Sequence, residues 1–180
     1  MKETLSSIAK RTGFSVTTVS RVLSGKAEQH RISPDTIEKV LKDAREHNYS
    51  PSLIAQSLRT NRTNTIGILL PSLSNPYFAE MASVIISEVH RRNYTGIIID
   101  TMEDEKKFND SASILLSRRV DGIIAVPCGT DDSLIESINR NYLPIVLIDR
   151  YYDNSKLSFV TTNNHKGGLM ATRHLIDMGH

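Results

Sequence analysis

The sequence predicts two parts: a small all-α head carrying a helix-turn-helix, then an α/β domain built on a parallel sheet. Three observations carry this expectation. Three short helical patterns fill residues 1–48. From Thr65 onward, near-continuous apolar runs alternate with amphipathic ones, the signature of parallel strands covered by helices on both faces. The charge divides near the same place: residues 1–62 carry eleven Lys/Arg against six Asp/Glu, a net +5, and the rest carries a net −3. A basic head on a slightly acidic body suits a protein that offers one end to a polyanion. The expected division is 1–48 for the head, 49–64 for a short helix and linker, and 65–180 for the α/β body.

Taken in order, Thr4 caps a helix from Leu5 to Arg11 with Leu5, Ile8 and Ala9 on one face, and Gly13 marks a tight turn. Ser15 caps a second helix, Val16 to Leu23, whose Val19, Val22 and Leu23 face inward. A polar loop covers Ser24 to Ile32. Ser33-Pro34-Asp35 then starts a third helix, which buries Ile37, Val40, Leu41 and Ala44 and ends near His47-Asn48. A short helical stretch spans 52–58, and the polar stretch 59–64 reads as an interdomain linker. In the body, strands are expected at 66–70, 95–99, 122–126, 145–148 and 159–161, and helices at 76–92, 106–119, 131–139 and 166–178.

Two motifs carry chemistry. In the first, two short helices meet at Gly13, so the second can enter the major groove by its N-terminal end. Its outward residues are Val16, Thr17, Ser20 and Arg21. Arg21 can make the bidentate contact with guanine O6 and N7, while Val16 and the Thr17 methyl can touch thymine methyls. Ser15, Thr18 and the free N–H groups at the helix start can hold phosphates. Lys26 and Arg31, in the loop, can reach phosphates or remain solvated. A helical hairpin with no DNA role is the competing reading. In the second motif, Ala55 and Leu58 share a helix face; small Ala55 allows close approach, and Leu58 can wedge between base steps in the minor groove. Taken alone, that stretch also reads as a linker helix packing on itself.

Together, residues 4–58 resemble the headpiece and hinge helix of the LacI/GalR family. The likeness continues through Thr65-Ile66-Gly67-Ile68, Asn75-Pro76-Tyr77-Phe78, Arg119-Val120-Asp121-Gly122, Pro144-Ile145-Val146-Leu147-Ile148-Asp149 and Leu175-Ile176-Asp177-Met178-Gly179-His180. The resemblance implies a transcription repressor with a periplasmic-binding-protein-like body, acting as a homodimer on a palindromic double-stranded DNA operator. It places Val16, Thr17, Ser20 and Arg21 at base-reading or groove positions, Tyr49, Ser52, Ala55 and Gln56 at hinge contacts, and Leu58 at the central kink. Leu5 completes the DNA-contacting set. The loop Gly25 to Ser33 is longer than the common family version and resembles the fructose and sucrose repressor branch, which favours a sugar or sugar-phosphate effector.

In an open parallel sheet, ligands sit beyond the C-terminal strand ends. The segments after the strands (75–78, 104–105, 128–130 and 149–150) therefore share one rim, and the resemblance assigns Tyr77, Phe78 and Asp149 to the effector pocket. Family members run nearly twice this length, so the chain is expected to hold only the first lobe and one helix of the second, with Leu169, Met170, Leu175, Ile176 and Met178 exposed as an apolar stripe.

Other classes find little support. The nucleotide-loop spacings around Gly167-Gly168 are missing, and the histidines form no metal pattern with Cys128, which reads as a small buried hydrophobe. Glu103-Asp104-Glu105 and Asp131-Asp132 read as solvated helix starts. No catalytic residues, cofactor, metal or membrane partner is expected; a cytoplasmic location is. A solute-binding module without DNA function, and a non-regulatory fragment, are the alternatives carried forward.

Overall fold

The computed structural model describes residues 3–50, 57, 60–140, 143–153 and 155–180, which fall into two compact units, 1–59 and 60–180. In the first unit, α1 spans Leu5–Thr12, α2 Val16–Leu23 and α3 Pro34–Glu46. Each start is capped by a hydroxyl: the N–H groups of Ser7, Thr18 and Thr36 donate to Thr4 Oγ1, Ser15 Oγ and Ser33 Oγ. Gly13 ends α1 in the left-handed region (φ 78°), and its N–H donates to the Ala9 carbonyl at 3.0 Å. The tight turn lets α1 and α2 bury one shared stripe. Ile8, Val19 and Val40 are fully buried in it, joined by Ala9, Val22 and Ala44.

The segment read as a polar loop contributes to this core. Residues 28–30 form a 3-10 turn, and the N–H groups of His30 and Ile32 both donate to the Ala27 carbonyl. The fold-back buries Ala27 in the head cluster. Tyr49 also packs against that cluster, its N–H bonded to the Ala44 carbonyl at 2.8 Å.

Polar staples join α1 to α3. Arg11 donates to Asp43 at 2.7 and 2.9 Å and to Glu3 at 3.0 and 3.1 Å. Hydrogen bonds from Arg11 hold both carboxyls below their ordinary range, with Ser7 assisting at Glu3. Folding therefore favours their ionised forms. Their contribution is complete above about pH 4 and is lost as pH falls through the lowered folded values. Thermal unfolding followed from about pH 7 to about pH 3 should show the head losing stability on the acid side. Arg11→Gln should flatten that limb, whereas an identical limb in the variant would remove Arg11 from the linkage.

The second unit is a five-stranded all-parallel sheet in the order β2-β1-β3-β4-β5. Its strands are β1 Thr65–Leu70, β2 Thr95–Asp100, β3 Gly122–Ala125, β4 Ile145–Ile148 and β5 Ser158–Val160. The helices are α4 Pro76–Arg91, α5 Glu105–Ser117, α6 Ser133–Arg140 and α7 Asn164–Asp177. Boundaries differ from the sequence reading by a few residues at most, the ordinary scatter of element ends. Asp131, read as helical, instead precedes α6 and accepts from the Ser133 N–H and hydroxyl.

Alternation along β1 sorts the core into two layers. Ile68 and Leu70 face Phe78 and Ala82 of α4, while Leu69 faces Phe108, Ala112 and Leu115 of α5. Gly67 lies where α5 crosses: a Cβ there would sit 2.4 Å from Leu115 Cδ1, so any larger residue would have to displace the buried Leu115 side chain. The far edge is less covered. No residue of α7 is buried, and Leu169, Met170, Leu175, Ile176 and Met178 are all more than half exposed, the stripe expected from sequence.

Candidate DNA-reading face and strand-end rim

Burying Val19 and Val22 turns the opposite side of α2 outward. Val16, Thr17 and Arg21 are exposed and Ser20 is half exposed. Arg21 forms no ion pair among the described residues, so its five donors remain available to a planar acceptor pair. The Ser15 hydroxyl accepts the Thr18 N–H and lies 2.9 Å from Thr18 Oγ1. The N–H groups of Val16 and Thr17 therefore remain open at the positive end of the helix. Leu5 has a different environment: its side chain packs against the head core, which leaves its backbone N–H for any phosphate contact. Arg31 is exposed, in the left-handed region (φ 52°) at the end of the 3-10 turn. Tyr49 belongs to the head core, and burial raises its phenol pKa. Ser52, Ala55, Gln56 and Leu58 lie outside the described residues.

The rim forms where the strands end. Tyr77 opens α4, its N–H accepted by Asn75 Oδ1, and its hydroxyl donates to Asp149 Oδ1 at 2.9 Å. That bond to a carboxylate raises the Tyr77 pKa. Phe78 is only 4% exposed and packs in the α4-side core, with the Tyr77 ring edge-on at 5.1 Å and the Arg150 guanidinium 5.7 Å from its ring centre. A ligand therefore meets Phe78 only past those two side chains. Asp149 ends β4 in the left-handed region (φ 65°). Its N–H donates to the Val160 carbonyl, and its own carbonyl accepts the Thr161 hydroxyl at 2.8 Å. An open cleft of about 520 Å³ lies there, lined by Asp149, Arg150, Tyr151, Thr161, Thr162 and residues 163–165. Asp149 is the candidate effector residue that lines this cleft; Tyr77 joins through its hydrogen bond, and Phe78 lies beneath.

Two further braces escaped the sequence reading. Arg150 donates to both oxygens of Glu103 at 2.8 and 3.1 Å, which holds Glu103 below the usual carboxylate range. Glu103 is thus a cross-rim partner rather than a solvated helix start. Asp100 accepts from the N–H groups of Leu73 and Met102, tying the loop after β1 to the end of β2. An Asp-Arg pair after a strand was the visible signal for the first brace, but its partner is 47 residues away. Cys128 is buried beside Thr101, and burial raises its thiol pKa. Among the described residues, no group of three or more His, Cys, Asp or Glu could hold a metal, and no helix is long and apolar enough to cross a membrane.

Comparison with known proteins follows the same division. Residues 4–52 match the family described as bacterial regulatory proteins, lacI family, and residues 63–180 match periplasmic binding proteins and sugar binding domain of LacI family. The chain is 36% identical over 179 residues to the HTH-type transcriptional repressor PurR of Pasteurella multocida, covering 98% of this chain and 52% of that protein. It thus spans about half the length of the curated relatives it matches. In fold it resembles the lac repressor dimer bound to operator and the anti-inducer ONPF, with a TM-score of 0.84 and 24% identity over all of this chain and 54% of that one. A periplasmic binding protein/LacI transcriptional regulator from Alkaliphilus metalliredigens, complexed with D-xylulofuranose, is 34% identical with a TM-score of 0.56, over 64% of this chain and 42% of that one.

Proposed function

Because the chain belongs to the LacI family of bacterial regulatory proteins, we propose that it is the DNA-reading and first-lobe portion of a transcriptional repressor. The head reads a palindromic operator as a homodimer, each α2 entering a major groove. The observation that carries this reading is the outward face of α2: Val16, Thr17 and Arg21, which forms no ion pair among the described residues, are exposed beside helix-start N–H groups. That combination supplies base contact and phosphate contact from one short element. Residues 49–64 join head to lobe in this reading, and there Ser52, Ala55, Gln56 and Leu58 act in the minor groove.

The effector in this reading is a small carbohydrate or sugar phosphate held at the rim, with Asp149 accepting its hydroxyls and Tyr77 and Phe78 flanking it. Support comes from the chemistry of the cleft, crowded with carboxylate, amide and hydroxyl groups that suit a polyhydroxylated ligand. Support comes also from the sugar in the 34%-identical Alkaliphilus regulator. Effector binding shifts the lobe arrangement, and the linker passes that shift to the heads as a coupling free energy.

Selection of bound sequences from a random DNA pool at near-physiological salt tests the reading, because phosphate contacts alone give unspecific binding at low salt. A palindrome of two half-sites is the expected product, with enrichment altered when a panel of sugars and sugar phosphates is added. A lone half-site would remove the homodimer, and no enrichment would overturn DNA reading in favour of a solute-binding module or a non-regulatory fragment.

A further inference from the structure

The opposite end of the second unit, where the strands begin, carries a second hollow. It has a volume of about 340 Å³ and is lined by Asn61, Arg62, Leu116, Arg119, Val120, Asp121 and Leu143. Neither Arg62 nor Arg119 forms an ion pair among the described residues. The nearby carboxylate is engaged elsewhere: Asp121 Oδ1 accepts the Thr63 N–H and hydroxyl at 2.8 and 3.1 Å, and Oδ2 accepts the Asn64 N–H at 2.9 Å. Two arginines thus line one hollow with no ion pair to either among the described residues, in a unit (60–180) that carries twelve Lys/Arg against fourteen Asp/Glu. Arg119 adopts the left-handed region (φ 56°) just after α5. Leu116 and Leu143 add apolar lining, and Asn61 a polar one.

We propose that this hollow is a phosphate-binding site, with Arg62 and Arg119 as its forked donors and Asn61 beside them. Guanidinium groups match the oxygens of a phosphate bidentately, and among the described residues neither arginine is paired with a carboxylate, Asp121 being held by Thr63 and Asn64. The phosphate has two possible sources: the DNA backbone, since Arg62 lies three residues beyond the first unit in sequence, or a free phosphorylated small molecule. The site is separate from the rim cleft, and only the first source rests on the DNA-binding reading.

The test uses the full chain and the double variant Arg62→Gln/Arg119→Gln, both exposed positions. In the first arm, operator affinity is measured across salt concentrations. If the DNA backbone is the source, the double variant lowers the slope of log affinity against log salt by about 0.9 per lost contact, with base preference unchanged. In the second arm, inorganic phosphate and phenyl phosphate are titrated without DNA. If a free phosphate is the source, the backbone resonances of Val120 and Leu143 shift in the parent and not in the variant. Lys106→Gln/Lys107→Gln removes equal charge from the other end of α5, about 20 Å away, and must leave both readouts at parental values. Equal loss in both double variants would reduce the effect to net charge. No change in either arm would overturn the site, and a parent that binds no DNA yet responds to phosphate would sink the function reading alone.

Discussion

Replacing Arg21 with alanine is expected to weaken binding to the selected operator by roughly 5- to 150-fold per half-site, about 1–3 kcal/mol, and to flatten base preference at one position. The magnitude follows from what the free side chain offers. Arg21 is exposed on the outer face of α2 and forms no ion pair among the described residues, so no protein contact must break before it meets a guanine. Its removal also leaves the head core intact, because Val19 and Val22 do the packing on that helix. Arg21→Lys should retain the charge and lose the fork, falling between parent and alanine variant in affinity while still losing base preference. Arg31→Ala offers the contrast: a loss spread evenly over all sequences, with a shallower salt dependence. Enrichment from a random pool, compared across the three variants, separates these outcomes. An Arg21→Ala protein that selects the parental site with parental affinity would take Arg21 out of base reading.

Much of this arrangement was legible because the relevant signals are local. Thr4, Ser15 and Ser33 announce three helix starts, and each hydroxyl caps as expected. The runs Ile66 to Leu70 and Ile145 to Ile148 announce strands buried on both faces, and the alternating βα order leaves a parallel sheet as the simple solution. What escaped is set by long-range geometry. Arg150 meets Glu103 across 47 positions, and Asp121 holds Thr63 across 58. No periodicity encodes such pairs; they arise because parallel strands bring every start to one end of the sheet and every finish to the other. Ala27 was missed for a different reason: a lone alanine among polar neighbours looks solvated until a 3-10 turn folds it inward. Adjacent Tyr77 and Phe78 carried one expectation, and the helix separated them. Successive positions point about 100° apart, so Tyr77 reaches Asp149 while Phe78 enters the core.

Ile8→Ala is expected to abolish operator binding without touching the reading face. Ile8 is fully buried where α1 meets α2 and α3, in one cluster with Val19 and Val40. Cutting it to alanine costs about 2–5 kcal/mol through lost transfer energy and the cavity left behind. A head of this size has a total stability on the order of 3–9 kcal/mol at about 0.05–0.15 kcal/mol per residue. One substitution therefore consumes much of the margin, and α2 loses the platform that holds Arg21 and Thr17 outward. Ile8→Val, at about 0.5–1.5 kcal/mol, should leave binding close to parental. Amide hydrogen exchange reads the effect directly: in the alanine variant, protection at Val40 and Ala44 should fall while that at Phe108 and Leu147 in the sheet domain persists. If protection at Val40 survives and binding is lost all the same, Ile8 acts on the DNA contact by some route other than stability. If both survive, the head does not depend on this cluster as its burial implies.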